Sequence, residues 1–177
     1  VITPKLGLFP AVLALFSITR PASLRALDAA MNGDRQFALV LQRDENIEEP
    51  TLDQIYEIGV VANVVRMMRL PDGTAQVILS GGSRARLSGF ENADGTLRAD
   101  LEILEDDTQI TPQIEALMAA ARDDFAKIVS LSPQLPDEAL EAATDQNEPG
   151  KLADFVASSL SIEPEIRQQL LETLDVT

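Results

Sequence analysis

The hydrophobic and polar positions of the chain follow two different patterns, and the change lies near residue 108. Before it, short apolar or alternating runs are separated by turn signals, which is typical of strands. After it, apolar residues recur every three or four positions, as they do on the buried face of a helix. The pattern predicts a β-rich part, residues 1–108, followed by a helical part, residues 109–177.

The first part is predicted to hold one helix and several strands joined by tight turns. The helix covers residues 22–31, and strands cover residues 37–42, 58–70, 74–79, 84–90 and 97–103. PDG at 71–73 and NADG at 92–95 are predicted hairpin turns, because proline sets φ and glycine accepts a positive φ. SGGS at 80–83 is predicted to turn the chain as well. This arrangement indicates a mostly antiparallel sheet or a small barrel.

Alternation also predicts which side chains share a face of a strand. The last strand alternates charged residues with the apolar residues Leu97, Ala99, Leu101 and Ile103. One face of its sheet is therefore predicted to be exposed to solvent. In strand 58–70, one face is predicted to carry Ile58, Val60, Ala62, Val64 and Met68.

Helix boundaries in the second part are predicted from capping signals. Thr111 is a good N-cap, and Pro112 follows it at the first helical position. Pro149-Gly150 is predicted to start a later helix, and Ser161 is predicted to cap the last one. The second part is therefore expected to be a bundle of short helices after one long helix.

The apolar stretch LGLFPAVLALFSITRP at 6–21 leaves two alternatives open. Its length and the preceding Lys5 match the apolar region of a secretion signal. It is too short for an ordinary membrane-spanning helix, which takes about 20 apolar residues, and Pro10 would break a helix there. No small-x-small cleavage pattern follows it. A strand of the folded core is the favoured interpretation, and a signal peptide is the alternative.

Composition narrows the classes of function. Hydrophobic residues make up 45% of the 177 positions and charged residues 24%, so a packed core is expected. The formal net charge of −15 repels phosphate, and no basic cluster interrupts it, so nucleic acid is not an expected partner. The chain has no cysteine and no histidine, which excludes disulfides, thiolate zinc sites and Ser-His or Cys-His catalysis.

The remaining motifs do not support catalysis either. Gly150-Lys151 does not complete a P-loop, because Asp145 and Leu152 occupy two of its key positions. Adjacent carboxylates, such as those at 106–107, point in different directions on a helix or a strand. Arg84 and Arg86 are predicted to pair with nearby acids. We predict no catalytic residue, no metal ligand and no cofactor.

Several stretches, in the same order, resemble the N-terminal substrate-binding domain of the ATP-dependent Lon proteases. They are LFPAVLALF at 8–16, SLRALDAAM at 23–31, the long segment 39–79 and EPGKLADFVASSL at 148–160. The most specific part is YEIG at 56–59, followed by LPDGT at 70–74. The resemblance extends over almost the whole chain.

The resemblance implies an α+β fold with two subdomains. The first is a six-stranded, β-rich, PUA-like pseudo-barrel with one inserted helix. The second is an α-helical bundle that leads towards an arm helix and an ATPase module outside this sequence. It implies a non-catalytic domain that binds unfolded or degron-bearing polypeptides for delivery to ATPase and peptidase modules. The parent protein would be a cytoplasmic, hexameric, ATP-dependent serine endopeptidase of protein quality control. Its partners would be damaged proteins and other Lon subunits, with no nucleic acid and no membrane.

Exposed apolar residues would be the physical basis of such binding. The candidates are Pro10, Met67, Met68, Leu70 and Pro71. Methionine suits varied partners, but the alternative is that Met68 belongs to the core, because it is predicted to share a face with Ile58. Two other functions stay open: a stand-alone Lon-domain adaptor, and a structural module for hexamer assembly or gating. The interaction surface of the structural module would be the stripe Ile166, Leu170 and Leu174.

Overall fold

The computed structural model describes residues 1–5, 7–93, 95–105 and 109–176, except the side chain of Ala93. The predicted boundary at residue 108 and the acidic pair 106–107 lie outside the described residues. The elements, in chain order, are β1 (Ile2–Thr3), β2 (Leu13–Ile18), α1 (Pro21–Met31), β3 (Gln36–Leu41), β4 (Ile58–Arg69), β5 (Ala75–Ala93), β6 (Thr96–Leu104), α2 (Pro112–Leu131), α3 (Glu138–Thr144), α4 (Pro149–Ser159) and α5 (Pro164–Glu172). The fold is therefore a mixed α+β fold.

The strands form one six-stranded sheet with β5 at its centre. The order is β1-β3-β4-β5-β2, and β6 also pairs with β5. β2 lies along residues 75–80 of β5, and β6 lies along residues 84–93. Every pairing is antiparallel except that of β1 with β3. The length of β5, 19 residues, is what allows β2 and β6 to share it.

The turn predicted at SGGS is wrong, because residues 80–83 lie inside the continuous strand β5. Between Gly81 and Arg84 the pairing with β4 shifts register, so that β5 contains a bulge there. A Cβ atom on Gly81 would overlap the backbone oxygen of Phe9. Glycine within a strand can mark a bulge or a close backbone approach as well as a turn. Two predicted strands are therefore one, and the two-residue strand β1 was not predicted.

The predicted face of strand 58–70 is wrong at its far end. Val65 is an extra residue in β4, where the register with β5 shifts. Such a bulge moves the alternation of side chains by one position. Met68 is therefore exposed on the face opposite the core, and Met67 packs against the core instead.

The main core lies on the inner face of the sheet. Phe16 of β2 and Val77 of β5 are buried there together with Leu27 of α1. The predicted helix 22–31 is confirmed as α1. Ala157 of α4 and Leu171 of α5 join the same cluster, so the last two helices also close this core.

The helical part has a second apolar cluster, formed mainly by α2, α3 and α4. Phe125 of α2 meets Phe155 of α4 edge to face, with ring centroids 6.1 Å apart. The predicted cap at Thr111 is confirmed, since its side chain accepts a hydrogen bond from the N–H of Ile114. The cap predicted at Ser161 is wrong. The helix starts instead at Pro164, where the fixed φ of proline favours a first turn.

Arg84 of β5 links the two parts. Its Nη2 donates to Asp154 Oδ1 of α4 at 2.5 Å, and its Nε donates to the backbone oxygen of Leu171 at 3.0 Å. Both side chains of this ion pair are only 4% exposed. Arg86 pairs with Glu102 at the surface, at 2.9 Å. The prediction that both arginines pair with acids is confirmed.

Candidate functional site

The outer face of the sheet carries an exposed apolar surface. Along β2, the side chains of Phe16 and Ile18 are buried in the core, while those of Leu13 and Leu15 are 64% and 61% exposed. Residues 13–18 of the apolar stretch thus form a strand with one buried and one exposed face. Neighbouring strands extend the exposed side. The apolar residues of this surface are named the outer patch: Leu13, Leu15, Val65, Met68 and Ile78.

The strand register brings the outer patch together from three adjacent strands. Leu15 of β2 lies opposite Ile78 of β5. On the other side of β5 lies β4, whose Arg66 is opposite Ile78. The bulge residue Val65 comes directly before Arg66, and Met68 comes two residues after it. Because neighbouring strands are about 4.8 Å apart, the patch is about 10 Å wide across the strands.

The bulge in β4 enlarges the patch. Val64 is buried and Met67 packs against the core, so the two residues between them both point outward. Val65 is 56% exposed, and Met68 beyond the bulge is 51% exposed. A regular strand would place only one side chain outward between two inward ones. The bulge therefore adds an apolar side chain to the exposed face.

The polar neighbours of the outer patch do not include a carboxylate. Among the outward positions next to the patch, within residues 13–17, 63–68 and 76–80, the polar side chains are Ser17, Asn63, Arg66, Gln76 and Ser80. The chain as a whole carries 29 acidic and 14 basic residues. A surface free of acid is therefore distinct from the rest of this protein, and it lowers the cost of covering the patch with an apolar partner.

The structure does not bring the five predicted binding residues into one place. Met68 belongs to the outer patch, whereas Met67 lies on the opposite face of β4. Leu70 and Pro71 stand at the hairpin tip, half-buried and exposed respectively. Pro10 is half-buried in a turn beside Gly81. Residues 75–80 of β5 lie between Gly81 and the hairpin tip. Six residues of a strand span about 20 Å, so Pro10 is about 20 Å from the tip.

The hairpin tip is charged rather than apolar. The hydroxyl of Thr74 donates to Asp72 Oδ1 at 2.6 Å, and its N–H donates to the same atom at 2.9 Å. Both hydrogen bonds stabilise the ionised carboxylate and lower the pKa of Asp72 below its usual value. The tip therefore carries a negative charge, which lies beyond the last paired residues of β4 and β5 and outside the outer patch.

Four residues of the outer patch were not predicted as binding residues. Leu13 and Leu15 lie in LALFSI, which is apolar at nearly every position and therefore resembles a strand buried on both faces. Val65 and Ile78 lie in the predicted strands 58–70 and 74–79, for which only one face of the first strand was assigned. Exposure of an apolar side chain depends on whether another element covers it, and the local pattern does not contain that information.

The described residues offer no sign of metal chemistry. No group of three or more acidic side chains among them could hold a metal ion. Within the same part of the chain, no helix is long and apolar enough to cross a membrane.

Comparison with known proteins gives a consistent family. The family model described as the ATP-dependent protease La (LON) substrate-binding domain matches residues 2–177. Lon protease 2 of Herpetosiphon aurantiacus is 37% identical over 169 residues, and the Lon protease of Azospirillum brasilense is 35% identical over 169 residues. Each alignment covers 96% of this chain but 21% of the relative. The chain thus spans about a fifth of the length of these curated relatives.

Solved structures share the fold. The N-terminal domain of a Lon protease from the Mycobacterium avium complex superposes with a TM-score of 0.76 at 20% identity, covering 99% of this chain and 88% of that one. A Lon N-terminal domain protein from Xanthomonas campestris gives a TM-score of 0.67 at 14% identity, covering 99% and 89%. At these identities the comparison establishes the α+β fold.

Proposed function

Because the chain belongs to the family of substrate-binding domains of the ATP-dependent protease La (Lon), we propose that it binds unfolded or degron-bearing polypeptides through the outer patch. The observation that carries the proposal is the exposure of four apolar side chains, beside the half-buried Ile78, on one face of a sheet. Covering an exposed leucine with an apolar partner gains about 1.5–3 kcal/mol. A few such contacts support reversible binding, and no chemistry by this chain is required.

The charge of the chain favours some polypeptides over others. With a net charge of −15, the protein repels acidic segments at long range, attracts basic ones and leaves neutral ones unaffected. The outer patch itself has no acidic neighbour at its outward positions among the described residues. The proposed substrates are therefore apolar segments of unfolded proteins that are neutral or flanked by basic residues.

The same proposal includes a role for this domain within a longer protease. The curated relatives are Lon proteases about five times longer than the matched region. We propose that this chain serves as the non-catalytic recognition domain of an ATP-dependent serine endopeptidase and delivers substrates to its ATPase and peptidase modules. A cytoplasmic location and a PUA-like pseudo-barrel architecture belong to the proposal as well; the absence of cysteine and the six-stranded sheet support them.

Replacing Leu15 by aspartate should weaken binding of an unfolded protein by about tenfold or more, since it puts a charge where an apolar contact forms. Carbamidomethylated lysozyme is a suitable probe because it is permanently unfolded and basic. Its affinity can be measured by fluorescence anisotropy. The matched control is Leu131→Asp, because Leu131 is 84% exposed on α2, away from the outer patch. Equal affinities for both variants and the unaltered chain would refute the outer patch as the binding surface.

A groove in the helical part favours a second candidate, a structural module that associates with other copies. It lies among α2, α4 and α5, has a volume of about 280 Å³, and is lined almost entirely by apolar residues. Leu117, Ile166 and Leu170 at its rim are exposed. Leu174, the remaining member of the predicted stripe, is half-buried. Light scattering distinguishes this role: a constant single-chain mass across concentrations would argue against assembly through the groove.

A further inference from the structure

β2 is an edge strand without the features that usually prevent edge pairing. It pairs with β5 on one side, and no other described strand pairs with it. Its six residues, LALFSI, include no charge and no proline. The other exposed edges differ: β6 carries Arg98, Asp100 and Glu102, and β1 has only two residues. Charges and short length discourage the addition of a strand, and β2 has neither.

The hydrogen-bonding groups of β2 that face away from β5 belong to its odd-numbered residues. The N–H of Gly81 donates to the oxygen of Val12, so the C=O of Val12 faces β5. In an antiparallel ladder these directions alternate along the strand. The N–H and C=O groups of Leu13, Leu15 and Ser17 therefore point towards the free edge. The side chains of the same residues lie on the outer face with the outer patch.

The free edge of β2 opens into a cleft. The cleft lies between residues 15–20 and residues 1–5, with Ser23 and Leu39 at its floor, and its volume is about 280 Å³. It is smaller than a usual small-molecule site, which has about 300–1,000 Å³. Its charged lining side chains, Lys5 and Arg20, are both basic, and none of its lining residues is acidic. A polypeptide backbone in the cleft could therefore form hydrogen bonds with the free N–H and C=O groups of β2. A cationic side chain would find no carboxylate there.

We propose that β2 binds an extended, uncharged polypeptide segment as an added strand, with apolar residues at alternate positions. The argument for this occupant is charge complementarity. β2 has no charge, the basic Lys5 and Arg20 of the cleft disfavour a basic side chain, and the net charge of −15 repels acidic segments. The backbone of the segment pairs with Leu13, Leu15 and Ser17. Its apolar side chains lie against the outer patch, as in other cases of strand addition.

This inference rests on the proposed function and adds a mode of recognition to it. Binding through main-chain hydrogen bonds depends little on the sequence of the segment, whereas binding through side chains alone depends on shape. An added strand also requires that the segment be extended, which a folded protein does not offer. The domain would thus distinguish unfolded from folded proteins by the availability of a backbone.

The first test uses synthetic peptides that alternate valine with threonine and carry uncharged solubilising tails. One peptide has free amides, a second is N-methylated at the valines, and a third at the threonines. Since only one edge of the added strand faces β2, one methylated form should lose affinity by about thirtyfold or more and the other should stay within about twofold of the free peptide. Equal affinity of all three peptides, or equal loss in both methylated forms, would overturn the added strand.

The second test changes the protein at Ser17. Proline there removes an N–H that faces the free edge and leaves the ladder with β5 and the outer patch in place. Ser17→Pro should bind the free peptide about tenfold or more weakly, and Ser17→Ala, which keeps the N–H, within about twofold of the unaltered chain. Circular dichroism checks folding; if Ser17→Pro does not fold, the methylated peptides decide on the unaltered chain.

The outcomes separate this inference from the proposed function. If carbamidomethylated lysozyme binds to the chain but the peptides show no difference between edges, the added strand is wrong and the proposed function stands. If neither lysozyme nor any peptide binds, both fail. If the chain alone forms a dimer that Ser17→Pro abolishes, as measured by sedimentation, the occupant of the edge is a second copy and the proposed polypeptide segment is wrong.

Discussion

Gly81→Ala is expected to lower the free energy of unfolding by at least about 3 kcal/mol, a loss at the severe end for a single substitution. The new Cβ would overlap the backbone oxygen of Phe9 and lie 3.2 Å from Cα of Pro10. Backbone atoms cannot move aside as the end of a flexible side chain can. Relief would require the turn before β2 to leave β5. Urea unfolding, followed by circular dichroism, measures the change.

Gly33→Ala is the matched control for Gly81→Ala. A Cβ on Gly33 would meet only ordinary contacts, the nearest at 3.5 Å, and its backbone does not require glycine. Its free energy of unfolding should stay within about 1 kcal/mol of the unaltered chain. If the two variants unfold at the same urea concentration, the segment around Phe9 does not pack on β5 as described, and the position of β2 would also be in question.

Asp154→Ala is expected to cost about 3–5 kcal/mol, because it leaves the guanidinium of Arg84 buried without its carboxylate. Arg84 and Asp154 are each 4% exposed, and their ion pair joins β5 to α4. The loss should therefore loosen the helical part from the sheet as well as lower stability. Urea unfolding gives the free energy, and hydrogen exchange of α4 amides shows whether the contact between the two parts opens.

The surface pair on the same strand provides the comparison. The side chains of Arg86 and Glu102 are 47% and 65% exposed, so Glu102→Ala should cost about 1 kcal/mol or less. A double variant, Arg84→Met with Asp154→Leu, removes both buried charges and should recover much of the loss seen in Asp154→Ala. An Asp154→Ala variant as stable as Glu102→Ala would show that the buried pair does not hold the two parts together.

The parts of the fold that the sequence predicts well are those with local causes. Thr111 and Pro112 start α2 as predicted, and Pro149 starts α4, because capping and the φ of proline act within one turn. The hairpin at 71–73 is also local, and Gly73 has a φ of +88° as its turn requires. The failure at Ser161 is small, since α5 begins three residues later at the next proline.

The parts that sequence patterns miss depend on a partner strand. SGGS has the composition of a turn, but the bulge there is defined by its register with β4. The bulge at Val65 likewise exchanges the environments of Met67 and Met68. No feature of the surrounding sequence indicates this bulge. Binding residues are the hardest to predict from sequence, because the exposure of a side chain results from tertiary packing. Met68 is exposed only because the alternation slips by one position.

The four methionines allow the most direct test of the central claim, that the outer patch binds unfolded polypeptide. Met68 lies in the patch, Met67 faces the core beside it, and Met31 and Met118 pack in the two separate apolar clusters. With ¹³C-labelled methionine methyl groups, addition of carbamidomethylated lysozyme should shift or broaden the NMR signal of Met68 most and leave those of Met31 and Met118 in place. Binding that moves the Met118 signal and leaves the Met68 signal unchanged would contradict the claim.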